Sequence, residues 1–274
     1  MSYLLKAKSW VSQEKAAGSL DEQHDKINEV RELLGSLTAE MPSFLSESTI
    51  RRFLRAKSWS TEQATKALKE TIKWRRQCRP DTICWEDIHE REHEARRAYI
   101  ADYLDKNGRT VFISKPAIKS KLSSKDQIKH LVYNLEILAM LSENEQDECV
   151  AWLTDFQGWV LTCTPFSMVR ESMHIIQNHY PGLMAVAILS NPPKIFESFW
   201  KIVRHFLEPE MNQKVKFLYT NNPESHKTVA DMFDLDNLET TFGGRNKVAF
   251  DMDKYNERMK RNDQMRGASK HANA

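Results

Sequence analysis

The sequence holds little that marks a secreted or membrane-spanning chain. Its 274 residues include four cysteines, Cys78, Cys84, Cys149 and Cys163, with no C-x-x-C pair and no short regular spacing. This argues against a disulfide scaffold and fits a reduced intracellular protein. No apolar run reaches the roughly eighteen residues that a bilayer span requires. The opening Met1-Ser2-Tyr3-Leu4-Leu5-Lys6 lacks a signal-peptide core, and Ser2 stands where myristoylation needs glycine. The terminal His271-Ala272-Asn273-Ala274 lacks a prenylation cysteine, and no N-x-S/T acceptor occurs. The expectation is a cytoplasmic protein whose contact with any membrane is reversible.

An excess of one charge sign is also missing. Lys+Arg is 40 against Asp+Glu 38, a net charge of +2, so bulk electrostatics gives no case for nucleic acid. An anionic partner has to be met locally. Neither G-x-G-x-x-G nor G-x-x-x-x-G-K-[ST] occurs, which removes those routes to nucleotide binding; the absent G-x-S-x-G elbow argues against an α/β-hydrolase. His89-Glu90-Arg91-Glu92-His93 does fit H-E-x-x-H, but its surroundings are polar nearly all round and no third ligand stands out downstream. A solvated helix is the expectation there, not zinc. Asp155, Thr162, His174 and His179 compose a triad on paper, yet such groups more often cap backbone and pack locally. No catalytic residue, metal or cofactor is expected.

What is present is a composition for a sizeable core: 41% hydrophobic and 9% aromatic residues. At about 150 residues per domain, the length allows one large domain with a helical attachment. Residues 1–97 are expected to form that helical domain. A first segment carries Leu4, Leu5, Ala7 and Val11; its apolar residues, Trp10 included, either pack as an extra helix or assist membrane contact. Ile27, Val30, Leu33 and Leu34 share a face that stops at Gly35. After Pro42, Ser46 or Ser48 caps a helix with Ile50, Phe53 and Leu54 inward and Arg51, Arg52, Arg55 and Lys57 outward. Ser60-Thr61-Glu62-Gln63 starts a further helix through Ala64, Ala67, Leu68, Ile72 and Trp74 that ends before Pro80.

Residues 98–250 alternate between two periods. Short strands at 98–103 and 110–114 flank the turn Asp105-Lys106-Asn107-Gly108. Helix 124–141 turns Ile128, Leu131, Leu135, Leu138 and Ala139 inward, and Cys149–Phe156 is a strand ending near Gly158. Helix 165–178 carries Phe166, Val169, Met173 and Ile176. Leu183–Leu189 is short and near-continuously apolar, as a buried parallel strand should be. Helix 192–206, strand 215–219 and helix 223–232 complete an α/β pattern with a mixed, largely parallel sheet and flanking helices. Residues 251–274 form a helical, basic tail; within 258–270, Arg258, Lys260, Arg261, Arg266 and Lys270 stand against one acid, Asp263. Two readings stand for it: a solvated, frayed end, or a contact with anionic lipid headgroups.

The segment 183–207 is the most apolar. Ile195, Phe196, Phe199, Trp200, Ile202, Val203, Phe206 and Leu207 cover more than one narrow stripe, each contributing roughly 1.5–3 kcal/mol when fully buried. Such a helix sits in a two-sided core or faces something apolar that is not protein, a lipid or a membrane surface. Tyr133, Met140, Trp152, Met184, Phe196 and Phe199 are candidates either for plain core or for lining a cavity.

At this point the motifs carry a likeness. Ile50-Arg51-Arg52-Phe53-Leu54-Arg55-Ala56-Lys57, Trp74-Arg75-Arg76 and Asp105-Lys106-Asn107-Gly108-Arg109 resemble the opening motifs of the Sec14-like, or CRAL-TRIO, lipid-binding proteins. Asp155-Phe156-Gln157-Gly158, Gln177-Asn178-His179-Tyr180-Pro181, Asn191-Pro192-Pro193, Phe206-Leu207-Glu208-Pro209 and Thr241-Phe242-Gly243-Gly244 follow in family order. The likeness is closest to plant members of the phosphatidylinositol transfer type. It implies an internal lipid cavity roofed by a gating helix at about 193–207, whose candidate residues are Ile195, Phe196, Phe199, Trp200, Val203 and Phe206. It also implies a monomeric carrier, not an enzyme, that binds one phospholipid or other hydrophobic ligand and meets membranes transiently. Lys214 matches the lysine that contacts an inositol phosphate, and Lys57 lies near the family's basic headgroup residues. The glutamate expected after Tyr180-Pro181 is Gly182 here; of two hydroxyls near Gly158, Thr162 matches one and Val160 replaces the other. Both headgroup signatures are half kept, so a phosphatidylinositol cargo, a non-phospholipid cargo and a sensor that presents lipid to a partner all remain open. A hydrolase using Asp155 and a solid-cored interaction module are the rivals.

Overall fold

The computed structural model describes residues 18–88, 90, 96–120, 122–142 and 149–268. The chain divides into two compact units, with the break between Cys78 and Arg79. Residues 79–97, which the sequence pattern groups with the helices before them, go with the sheet.

The first unit is helical. Helix α1 (Leu20–Leu34) starts on a capping box: Ser19 Oγ accepts the Glu22 N–H and the Glu22 carboxylate accepts the Ser19 N–H. It stops at Gly35, whose φ of 57° a residue with a side chain rarely adopts. After the single turn α2 (Leu37–Glu40), helix α3 (Glu47–Ala56) is capped by Ser46, whose Oγ accepts the Thr49 N–H at 3.3 Å. Helix α4 (Thr61–Cys78) follows. Ile27, Val30, Ile50, Leu54, Ala64 and Leu68 are fully buried at the centre. Arg51, on the basic face of α3, pairs with Glu47 at 2.5 Å.

The second unit is built on a five-stranded sheet in sequential order: β1 (Ala98–Leu104), β2 (Thr110–Ser114), β3 (Val150–Asp155), β4 (Met184–Ser190) and β5 (Val215–Leu218). β1 is antiparallel to β2 and the others are parallel. Asp105 makes the hairpin turn: its Oδ1 accepts the N–H of Asn107 at 2.9 Å and of Arg109 at 2.8 Å, while Gly108 takes a φ of 77°. The parallel strands are joined by α5 (Ser124–Leu141), α6 (Phe166–His179), and the pair α7 (Phe196–Val203) and α8 (Pro209–Gln213). Each crossover steps to the next strand in the same direction. Right-handed connections of that kind lay their helices over one face of the sheet. α5 packs on α6, and α6 on α7.

Helices α9 (Pro223–Met232) and α10 (Met252–Arg266) complete the unit. The structure corrects the frayed reading of the basic tail: α10 is a packed helix on which Tyr255, Met259, Asn262 and Asp263 are buried. Asp263 accepts the Trp85 backbone N–H at 2.6 Å and pairs with Arg266 at 3.1 Å. Arg266 donates to the Ile83 carbonyl at 2.6 Å and lies 3.8 Å from Glu136, which accepts the Tyr180 hydroxyl at 2.7 Å. Arg258 donates to the carbonyls of Ile100 and Ala101 at the sheet edge. Lys260 and Arg261 are exposed, and Lys270 lies outside the described residues. Two of the five basic side chains thus satisfy buried carbonyls.

Asp263 and Arg266 are each 7% exposed, so removing Asp263 leaves the buried Arg266 with only the more distant Glu136 and takes the acceptor from the Trp85 N–H. Asp263→Ala is expected to lower the unfolding free energy by about 3 kcal/mol, read as a drop in the urea midpoint. The exposed neighbour substitution Gln264→Ala is expected to change it by no more than about 0.5 kcal/mol. Equal effects of the two would show that α10 is not clamped in this way.

Candidate functional site

A pocket of about 280 Å³ lies between the sheet and the helices of its covered face. The strand period of two selects the floor: Phe112 and Ser114 on β2, Trp152 and Thr154 on β3, Ala187 and Leu189 on β4. Val215 of β5 joins them. The residues between, Val111, Ile113, Ala151, Leu153 and Ile188, are buried without lining it. The walls come from Met168, Val169, Ser172, Met173 and Ile176 of α6 and from Gln127, His130 and Leu131 of α5.

Helix α7 closes the pocket. Phe196, Phe199, Trp200 and Val203 recur at i, i+3, i+4 and i+7 and all line it. Phe196 meets Phe156 at 4.4 Å between ring centroids, Phe199 meets Trp159 at 4.9 Å and Phe166 at 4.9 Å, and Trp200 meets Phe217 at 5.5 Å. The flank of the lining stripe leaves Ile195 53% and Ile202 49% exposed, beside exposed Lys194, Glu197, Lys201 and Arg204. Polar anchors hold both ends of this segment. Asn191, at a φ of 49°, accepts the Thr220 N–H at 2.9 Å through its side chain. Gln177 of α6 donates to the Phe206 carbonyl at 2.8 Å and accepts the Glu208 N–H at 2.6 Å. Phe206 therefore contributes its backbone to the closure and does not line the pocket, whereas its neighbour Leu207 does.

One end of the pocket is polar. The Trp152 indole N–H donates to Ser114 Oγ at 3.0 Å, and Ser114 Oγ lies 2.9 Å from Thr154 Oγ1. Arg97 donates from Nε to the Ile118 carbonyl and from Nη1 to Gln127 Oε1, both at 2.9 Å. Lys115 lines the same end; its backbone N–H donates to the Arg97 carbonyl at 2.7 Å. Burial pushes the Asp155 carboxyl up, while the Gln157 N–H and the Lys115 ammonium pull it back.

Of the sequence candidates, the structure brings Trp152, Met184, Phe196, Phe199, Trp200 and Val203 together on the pocket. Ile195 faces solvent. Tyr133 is fully buried elsewhere, 5.7 Å from the Trp85 ring, with its phenol raised by burial and by Asp263. Met140 does not line the pocket. Thr162 sits exposed in the turn Leu161–Cys163, and Pro165, not a hydroxyl, precedes α6; the lining hydroxyl there is Thr164, which accepts the Trp159 indole N–H at 3.0 Å. Lys214 ends α8 and pairs with Glu210 at 3.1 Å, outside the lining although Met211 and Val215 belong to it. Gly182 has a φ of 65°, a conformation that strains the glutamate the family pattern puts there. Lys57 ends α3 in the helical unit.

The elements of the paper triad turn elsewhere: Asp155 Oδ1 accepts the Gln157 N–H at 2.9 Å, and His174 Nδ1 lies 3.0 Å from Asn178 Nδ2. His89 and His93 lie outside the described residues. Among the described residues no group of three or more His, Cys, Asp or Glu is placed to hold a metal ion. Sequence reading missed Arg97, Ser114, Lys115, Gln127, His130 and Thr154; the available signal was the inward register of β2 and β3, which carries Ser114 with Phe112 and Thr154 with Trp152.

Comparison with known proteins matches residues 94–244 to the CRAL/TRIO domain model. The chain is 29% identical over 251 residues to SEC14 cytosolic factor of Kluyveromyces lactis, covering 85% of this chain and 81% of that protein. It is 27% identical over 187 residues to phosphatidylinositol transfer protein PDR17 of Saccharomyces cerevisiae, covering 64% of this chain and 53% of that one. The crystal structure of Sfh5 superposes with a TM-score of 0.61 at 15% identity, over 76% of this chain and 74% of that one, which is a likeness of fold.

Gln177→Ala would leave the Phe206 carbonyl and the Glu208 N–H without this partner, at a cost of about 1–3 kcal/mol. Hydrogen exchange is expected to accelerate at residues 204–208 ahead of the sheet. Unchanged exchange there would mean that Gln177 does not hold the end of α7.

Proposed function

The chain belongs to the CRAL/TRIO family, and from that premise we propose that it holds one lipid in the α7-roofed pocket and exchanges it at membrane surfaces. Members of this family are lipid carriers and not enzymes. The observation that carries the reading is the division of α7: Phe196, Phe199, Trp200 and Val203 toward the pocket, Ile195 and Ile202 toward solvent. A helix apolar on both sides is suited to exchanging contact with acyl chains for contact with a bilayer. Each methylene moved out of water contributes about 0.8 kcal/mol, so acyl burial supplies most of the affinity. Lys194, Lys201 and Arg204 beside the outer face would add about 1 kcal/mol each near an anionic surface. No described helix is long and apolar enough to cross a membrane, and α7 needs only to lie against one.

In this reading the protein works as a cytoplasmic monomer, and phosphatidylinositol is one candidate cargo. The likeness to a yeast phosphatidylinositol transfer protein supports that cargo. Lys214 would serve the headgroup by leaving Glu210 for a phosphate, with Thr162 as a further candidate. Gly182 and Val160, where the family pattern has a carboxylate and a hydroxyl, favour altered headgroup chemistry.

The double substitution Ile195→Asp with Ile202→Asp is expected to abolish sedimentation with acidic vesicles and to slow lipid transfer between vesicles at least tenfold. Equilibrium binding of a soluble fluorescent lipid should be retained. Transfer at the unsubstituted rate would remove α7 from the mechanism.

A further inference from the structure

The exposed apolar surface beside the pocket does not end at α7. Ile195, Phe199 and Ile202 fall at i, i+4 and i+7, so the buried Phe199 ring lies between the two exposed isoleucines and the lining stripe. That ring meets Phe166 of α6 at 4.9 Å, and Phe166 is itself exposed. It also meets Trp159 at 4.9 Å, and the two residues that follow Trp159, Val160 and Leu161, are both exposed. Five exposed apolar side chains from a turn and two helices thus gather around one buried aromatic cluster. The turn is held by bonds that do not involve α7. The Trp159 indole N–H donates to Thr164 Oγ1 at 3.0 Å, the Cys163 N–H to the Val160 carbonyl at 2.8 Å and the Cys163 thiol to the Ala117 carbonyl at 3.6 Å. What joins turn and helix is apolar: Trp159 on Phe196 and Phe199, and Phe166 on Phe199. The exposed charges along α7 are cationic at Lys194, Lys201 and Arg204 against a single acid, Glu197. Scattered apolar side chains with a cationic margin suit a bilayer with anionic headgroups, which takes them up without a complementary shape.

From this arrangement we infer that the turn from Val160 to Phe166 is a standing membrane anchor, which seats in the bilayer while α7 is still closed and against which α7 then lifts. This rests on the reading of α7 as the part that exchanges contact with a bilayer, and it separates docking from opening on two different elements. Lifting α7 withdraws Phe196 and Phe199 from Trp159 and Phe166. With the turn already seated, those rings pass from one apolar neighbour to another and are not exposed to water. Leu161 does not line the pocket, so its role can be tested apart from lipid binding.

The experiment compares the full chain with Leu161→Asp and with the double variant Ile195→Asp, Ile202→Asp. Leu161→Asp is expected to lower sedimentation with phosphatidylserine-containing vesicles roughly tenfold. Its equilibrium binding of a soluble fluorescent lipid should be retained, which certifies the fold and the pocket. Should Leu161→Asp not fold, Leu161→Ser gives the same comparison with a smaller loss. Each protein is then tethered to the vesicles by a terminal histidine tag on nickel-chelating lipid, and the rate at which it extracts a self-quenched fluorescent lipid is read. Tethering replaces docking, so Leu161→Asp should return to within about twofold of the unsubstituted rate while the α7 variant stays slow. Sedimentation unchanged in Leu161→Asp but lost in the α7 variant would assign the exposed turn to a protein partner and overturn the inference, leaving the reading of α7 in place. A tethered Leu161→Asp that stays slow would make the turn part of the gate and overturn the anchor. Sedimentation unchanged in both variants would overturn the membrane reading itself.

Discussion

One geometric constraint underlies the site: four parallel strands in sequential order have their crossing helices on a single face. A doubly wound sheet alternates its helices and fills both sides. Here α5, α6 and α7 share one side, and the strand residues facing them are Phe112, Trp152, Ala187 and Leu189. The last crossover is the shortest part of the cover. It is only eight residues of α-helix, extended by the turn Arg204–Phe206, and its contacts are aromatic, to Phe156 and Trp159 just after β3 and to Phe217 of β5. Apolar contacts are non-directional, and they can be exchanged for acyl chain without leaving a polar group unpaired. The directional contacts are kept to the two ends, at Asn191 and at Gln177. In the proposed exchange, this short apolar roof with polar anchors at both ends is the part that would lift.

The far side of α5 follows the opposite logic. There Trp85, Asp263, Arg266, Glu136 and Tyr180 form a buried chain of hydrogen bonds and ion pairs that ties α10 to the rest of the unit. Such a network is costly to break piecemeal. His130 and Gln127 lie on the pocket wall of α5, while Tyr133, one turn from His130, packs on Trp85. One helix thus has a wall toward the pocket and a fixed backing toward α10. The buried ion pairs thus stand behind α5, while the contacts at α7 are aromatic and apolar.

Much of the fold was legible because its signals are local. The apolar run at 183–189 predicts β4, observed at Met184–Ser190, and Pro223 with its preceding Asn222 marks α9, observed at Pro223–Met232. The facing of α7 could also be read from its spacing. Tyr133 and Met140 were candidates only because they share a helix with lining residues; the rotation of α5 that buries Tyr133 against Trp85 is set by α10, more than a hundred residues away in sequence. The basic tail was misread for a related reason. Arg258 and Arg266 find carbonyls at Ile100 and Ile83, and no local pattern announces a partner that distant. Arg97 and Lys115 flank strands and resemble ordinary solvated ends until the sheet register brings them to the pocket. Thr162 and Lys214 were placed by resemblance, and a neighbour of each, Thr164 and Val215, is the residue that lines the pocket.

The most direct test of the account is the mass of what the protein carries. Native mass spectrometry of the full chain, purified from cells and then incubated with mixed liposomes, should show one bound lipid per chain, identified by its mass after denaturation. A chain that remains at its bare mass after both treatments would contradict the claim that the α7-roofed pocket is a lipid site.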